Sequence, residues 1–115
     1  MIFSFKQIIV RATLVTVLIA IAFQTKAQTD NQITRYNYFF LEAIRQQEMG
    51  NLAAAFDLLR HARDINPNAP EVYYELAGYY VEMQNNKAAR YNFERAAELA
   101  PNNSTYLEKL GQFYI

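Results

Sequence analysis

Few residues of this chain have side chains that could carry out chemistry. The chain has no cysteine, a single histidine and three widely separated glycines. His61 lies four residues after Asp57 and three before Asp64, so on a helix these side chains share one face and could hold a metal ion or exchange a proton. One helix face supplies no second element to complete such a site, and we interpret it as solvated. We therefore predict a protein that is not an enzyme and holds no cofactor or metal.

Two stretches of the chain match each other at a separation of 34 residues. The matching positions are Phe39, Ala43, Gly50, Ala55, Leu59, Ala62 and Pro67 in the first stretch, and Tyr73, Ala77, Gln84, Ala89, Phe93, Ala96 and Pro101 in the second. On paired helices, the alanines allow two backbones to approach closely, and the bulky residues fill the space on either side. A partial third copy follows, because Leu107, Leu110, Gly111 and Tyr114 lie one period after Tyr73, Leu76, Ala77 and Tyr80.

The 34-residue period, with Leu110-Gly111 followed by Tyr114, resembles the tetratricopeptide repeat family. The resemblance implies an all-α fold of tandem antiparallel helix pairs, an α-solenoid of about two and a half repeats. We place the repeats at about 36–69, 70–103 and 104–115, in a domain covering 33–115. Because a repeat cannot bury its apolar face alone, we interpret the chain as the N-terminal part of a longer protein, with self-association through 104–115 as the alternative.

Helical spacing and turn residues predict five helices, at about 33–49, 52–65, 70–84, 87–99 and from 104 onward. Gly50 suits the end of the first because glycine readily takes a positive φ. Pro70 and Glu71 suit the first turn of the third, where a missing N–H and a negative charge are tolerated.

The N-terminal segment differs in composition from the rest. Lys6 and Arg11 precede an uncharged apolar run at 12–23, and a small residue, Ala27, follows. This order is typical of a secretory signal peptide at 1–27 with cleavage near Ala27, in helical form before cleavage, and residues 28–32 would then be a short, loose tether. The alternative is an uncleaved anchor, because apolar residues also precede Arg11. Either reading predicts export, to the periplasm or another part of the cell envelope.

Charge excludes one class of partner. Bases and acids number 11 each in the whole chain, and removal of 1–27 takes away three bases and no acid. The remainder is mildly acidic and lacks the basic stripe that nucleic-acid binding requires. We therefore expect no nucleic-acid partner, and membrane contact only through the signal peptide or anchor.

The family resemblance implies a concave groove lined by the first helix of each pair. Adjacent helical residues point about 100° apart, so if Phe39 and Tyr73 face the core, the aromatic residues that follow them turn toward the groove. The residues expected in the groove are Asn37, Phe40, Ile44, Gln47, Glu71, Tyr74, Gly78, Val81, Glu82, Glu108 and Gln112. The alternative is that Phe40 and Tyr74 pack against neighbouring helices of a longer protein.

An apolar, aromatic groove with an acidic border suits a hydrophobic segment of a protein partner, such as a helix with basic flanks. The Lys, Asn and Arg clamp with which some relatives hold a chaperone C-terminus is not matched, because Phe40, Ile44, Tyr74 and Gly78 stand there. We predict a non-catalytic protein–protein interaction scaffold of the cell envelope. The alternative is the accessory region of a longer enzyme or membrane-anchored signalling protein whose active domain lies after residue 115.

Overall fold

The computed structural model describes residues 2–114, apart from the side chains of residues 2, 3 and 5. This part of the chain forms α1 (Ile2–Glu48), α2 (Leu52–Ile65), α3 (Pro70–Glu82), α4 (Asn86–Leu99) and α5 (Ser104–Tyr114). No strand occurs among the described residues, and consecutive helices pack in adjacent pairs. The all-α class and the paired helices of a tetratricopeptide-like repeat are confirmed.

The first of two compact units ends at Ile33 and consists of the N-terminal part of α1. Its described side chains are exposed, including the large apolar side chain of Phe23. The Thr13 hydroxyl donates to the carbonyl oxygen of Ile9 at 2.8 Å, and the Thr16 hydroxyl donates to the carbonyl oxygen of Ala12 at the same distance. These bonds satisfy the hydroxyls within an apolar helix. The helix is long and apolar enough to cross a membrane, a property that a signal sequence shares.

Residues 28–32 differ from the sequence-based expectation of a loose tether, because they are helical and belong to α1. Nothing in the sequence stops the helix there: the first glycine is Gly50 and the first proline is Pro67. The Thr29 hydroxyl also donates to the carbonyl oxygen of Thr25 at 2.9 Å. The structure is that of the uncleaved chain, and cleavage after Ala27 stays a prediction.

The second unit, from Thr34 onward, repeats one turn geometry at an interval of 34 residues. Gly50 and Gln84, which occupy equivalent positions after α1 and α3, both have positive φ, at 82° and 59°. The N–H of Asn51 donates to the carbonyl oxygen of Gln46 at 2.9 Å, and the residue after Gln84 makes the equivalent bond at the same length. Both turns therefore end a helix in the same left-handed manner.

The core of this unit forms where the period predicts close helix approach. The alanines at the matching positions are fully buried: Ala43, Ala55, Ala62, Ala77, Ala89 and Ala96. Leu59 and Leu76 are the largest fully buried side chains, with Val72 beside them. Small residues thus set the distance between helix backbones, and leucines fill the space between.

Phe39 is less buried than its equivalent, Tyr73. The Tyr73 hydroxyl donates to the carbonyl oxygen of Pro67 at 2.7 Å, because the turn before α3 folds over it. Phe39 lies inside the continuous α1, so no turn precedes it, and the ring of His61 packs against it with centroids 4.3 Å apart. The extra core residue of α1 is Tyr36, which is 5% exposed.

The last helix, α5, has no buried residue among those described. Leu107 is 49% exposed, whereas its equivalent one period earlier, Tyr73, is 5% exposed. Helix α4 covers that face of α3. The corresponding face of α5 therefore lacks a helix over it in the described part of the chain.

Candidate functional site

The first helix of each pair lies beside the first helix of the next pair. The hydroxyl of Tyr36 on α1 donates to Oε1 of Glu71 on α3 at 2.7 Å, and the hydroxyl of Tyr79 on α3 donates to Oε1 of Gln47 at 3.1 Å. On the other side of α3, the ring of Tyr74 lies 5.0 Å from that of Tyr106 on α5. Residues 34–48 of α1 together with α3 and α5 therefore form one surface, which we call the groove.

A first cavity of about 220 Å³ opens between α1, α2 and α3. It is lined by Gln47, Leu52, Glu75, Gly78, Tyr79 and Glu82. A Cβ atom built on Gly78 would meet no described atom within 4 Å. Glycine at this position leaves space at the cavity that a side chain would fill, although it lowers helix propensity.

A second cavity of about 290 Å³ opens between α3, α4 and α5. It is lined by Tyr74, Val81, Phe93, Lys109, Gln112 and Phe113. The ring of Phe93 lies 5.8 Å from that of Phe113 and 6.1 Å from that of Tyr74, so aromatic packing joins the three helices at this cavity. This cavity is aromatic, and Lys109 is the one charged residue among its described lining.

The two cavities differ in electrostatics. Burial raises the pKa of Glu75, which is half-buried. Burial also raises the pKa of Tyr79, and the nearby charge of Glu75 adds to the rise. The pKa of Tyr36 is raised by burial and by its hydrogen bond to Glu71. The tyrosines therefore stay neutral, and the described lining of the first cavity holds two acidic residues, Glu75 and Glu82, and no basic one.

Several residues predicted for the groove lie at these cavities. Gln47, Gly78 and Glu82 line the first, and Tyr74, Val81 and Gln112 line the second. Asn37 and Glu108 are exposed outside both, and Glu71 is engaged by Tyr36. Ile44 and Phe40 are half-buried, and the ring of Phe40 stacks on that of Tyr36 at 5.8 Å. The structure thus brings six of the eleven to cavities, while their binding role stays a prediction.

Sequence reasoning did not include Leu52, Glu75, Tyr79, Phe93, Lys109 and Phe113 among the groove residues. One signal could have found Glu75: it lies four residues after Glu71, while Gly78 and Glu82 continue the same helix face at helical spacing. Leu52 carried no such signal, because it belongs to the second helix of its pair. It lies at the cavity because the tight turn at Gly50 places the start of α2 beside the end of α1.

The side chains considered for chemistry have other contacts. His61, Asp57 and Asp64 are exposed, and the His61 ring packs on Phe39. Nη2 of Arg63 lies 3.2 Å from Oδ1 of Asp64. In the described part of the chain, no group of three or more histidine, cysteine or acidic side chains is placed to hold a metal ion. His61 has the register of Arg95, which lies over the ring of Tyr73, so both residues cover the aromatic residue of a first helix.

A family model for the tetratricopeptide repeat matches residues 46–113, more than half of the chain. Together with the paired helices and the 34-residue turn geometry, this match shows that the chain belongs to the tetratricopeptide repeat family. Repeats of this family generally mediate protein–protein interaction and are typically non-catalytic modules. A comparison with curated proteins finds no match for the chain.

Proposed function

We propose that the protein is a non-catalytic interaction scaffold of the cell envelope that binds a segment of a protein partner in the groove. The observation that carries this proposal is the first cavity, where Gly78 leaves open space between α1 and α3. Membership of an interaction family supports a protein partner over a small substrate.

The chemistry of the groove favours a partner segment with apolar side chains. Both cavities have mainly apolar walls, and half-buried aromatic rings such as Tyr74 and Phe113 present flat surfaces to a ligand. Helical segments with apolar residues at i and i+3 or i+4 dock into grooves of this kind. A helix with an apolar face and basic flanks fits the walls and the acidic border.

The test is co-purification from the native host. The partner is expected to co-purify with the wild-type chain and to be lost with Gly78→Leu, whose side chain fills the first cavity. Tyr91→Ala is the matched control, because Tyr91 is an exposed residue of α4 that lines neither cavity. A partner retained by Gly78→Leu as well as by wild type would contradict binding at the first cavity.

We also propose that residues 1–27 direct export and are removed after Ala27, which leaves a tetratricopeptide repeat domain preceded by 28–32. The basic residues before an apolar run and the exposed apolar helix support this proposal. Intact mass spectrometry of the protein from its host is expected to report a chain that begins at Gln28. A chain that begins at Met1 and fractionates with membranes would favour the uncleaved anchor.

The exposed face of α5 supports a further proposal. Leu107, Leu110 and Gly111 have the register of α3 residues that α4 covers, so an α4-like helix would fit over them. As the alternative to an independent scaffold, we propose that these repeats are the accessory region of a longer enzyme or membrane-anchored signalling protein. The helix over α5 would then come from that longer protein. The same mass measurement tests it: a mass that ends at Ile115, with a dimer in sedimentation, would favour self-association through 104–115.

A further inference from the structure

The first cavity contains two carboxylates and no cation among its described lining residues. Glu75 and Glu82 both line it, and neither has a hydrogen-bond or ion-pair partner among the described residues. Glu75 is half-buried and lines the cavity together with residues of α1 and α2, whereas Glu82 is exposed at the rim. Partial removal of a carboxylate from water without a compensating donor costs free energy, and burial accordingly raises the pKa of Glu75. The cavity thus lacks a positive counterpart.

The other lining groups suit an organic cation. The Tyr79 hydroxyl donates to Gln47, so its oxygen remains able to accept a hydrogen bond, and its ring offers a face that attracts a positive charge. Leu52 and the backbone at Gly78 supply apolar wall for an aliphatic stem. A metal ion fits less well, since no set of three ligating side chains exists in the described chain.

The second cavity gives a contrast within the same molecule. Lys109 has the register of Glu75, one period later, and it lines the second cavity. The first helix has Leu41 at that register. The two carboxylates therefore distinguish the first cavity from the second, whose one charged lining residue is basic.

We propose that the first cavity receives an arginine or lysine side chain of the partner segment, with Glu75 as the carboxylate that pairs with it. This inference rests on the proposed function, because it assigns the chemistry of the segment that the groove binds. Apolar residues on either side of the basic residue contact the walls, and Glu82, about two turns further along the same helix face, can take a second basic residue at the rim.

The experiment selects peptides from a random dodecapeptide phage library on the native protein in detergent micelles. Wild type, Glu75→Gln, Gly78→Leu and Glu98→Gln are compared. Glu98→Gln is the matched control, because Glu98 is an exposed carboxylate of α4 outside both cavities. Wild type and Glu98→Gln are expected to select peptides with arginine or lysine at one fixed position, and Glu75→Gln is expected to lose that preference.

A second measurement uses the selected consensus peptide and an analogue with citrulline, a neutral residue of the same shape, in place of arginine. Fluorescence anisotropy is expected to show that the citrulline peptide binds wild type with a dissociation constant at least about tenfold larger than that of the arginine peptide. This is the size expected for a charge-assisted hydrogen bond. On Glu75→Gln, the two peptides are expected to bind alike. Equal binding of both peptides to wild type would overturn the inference even if Glu75→Gln did not fold.

The outcomes separate the inference from the proposed function. Selected peptides that lose binding on Gly78→Leu but have no basic position would overturn the cationic anchor and leave the groove as a binding surface. A selection that yields no peptide sensitive to Gly78→Leu would overturn both.

Discussion

Gly78 is the residue at which folding and binding make opposite demands. It lies in the interior of α3, where glycine disfavours the helix, yet a Cβ atom there would meet no described atom within 4 Å. If glycine is present to keep the first cavity open, replacing it should stabilise the fold and weaken binding. A residue needed for packing would show both effects in the same direction.

The size of the stabilisation follows from helix propensity. Glycine in a helix interior is about 0.8–1 kcal/mol less favourable than alanine, and leucine is close to alanine on the same scale. No contact opposes the added methyl group of Gly78→Ala, so we expect nearly the full difference, about 0.8 kcal/mol. For a domain of 60–100 residues, about 1 kcal/mol raises Tm by roughly 4–8 °C.

The assay is urea and thermal unfolding followed by helical circular dichroism. Gly78→Ala and Gly78→Leu are expected to unfold later than wild type. The matched control is Gly50→Ala, which is expected to destabilise by about 1 kcal/mol, because alanine at φ of 82° is strained. Destabilisation by Gly78→Ala would refute the reasoning, since it would mean that the open space beside α3 is absent in solution.

Three further changes test other contacts. Gln84→Gly is expected to raise the free energy of unfolding in urea by about 1 kcal/mol. Gln84 has a positive φ, which is strained for a residue with a Cβ atom and which glycine adopts at the equivalent position, Gly50. Tyr36→Phe is expected to lower the free energy of unfolding by about 1–2 kcal/mol, because it removes the donor to Glu71. Burial raises the pKa of Glu75 in the folded protein, so the stability of the wild type falls as pH rises through that pKa. Glu75→Gln should therefore be more stable than wild type at neutral pH. The difference in stability should shrink toward about pH 4, where the carboxyl group is protonated in the unfolded chain as well.

For each of these three substitutions, one result would contradict the prediction. Destabilisation by Gln84→Gly would mean that the positive φ is not strained. An unchanged midpoint for Tyr36→Phe would mean that water replaces the tyrosine hydroxyl at Glu71 without cost. A stability difference for Glu75→Gln that does not vary with pH would show that the carboxylate is solvated in the folded protein.

The repeat made most of the core predictable. A fixed period forces equivalent residues into equivalent environments, so Ala43 and Ala77, or Ala62 and Ala96, could be assigned to the helix seam from spacing alone. The turn at Gln84 followed from the turn at Gly50 by the same reasoning, even though glutamine itself gives no turn signal.

Features that depend on the surroundings of one repeat could not be predicted in this way. Phe39 is more exposed than Tyr73 because α1 continues through the position where a turn precedes α3. Tyr36 is buried because it reaches Glu71 on the next repeat, a contact that periodicity within α1 does not indicate. Glu75 was missed because acidic residues on a helix are usually solvated, whereas this one lines a cavity together with Leu52 and the end of α1.

The most direct test of partner binding in the groove is site-specific photo-crosslinking in the native host. A benzophenone amino acid is placed at position 52, at the exposed edge of the first cavity, and for comparison at position 91, on the exposed part of α4. Binding in the groove predicts that irradiation links one protein partner to position 52 and not to position 91, and that Glu75→Gln weakens the link. Equal labelling at both positions, or none at position 52, would contradict it.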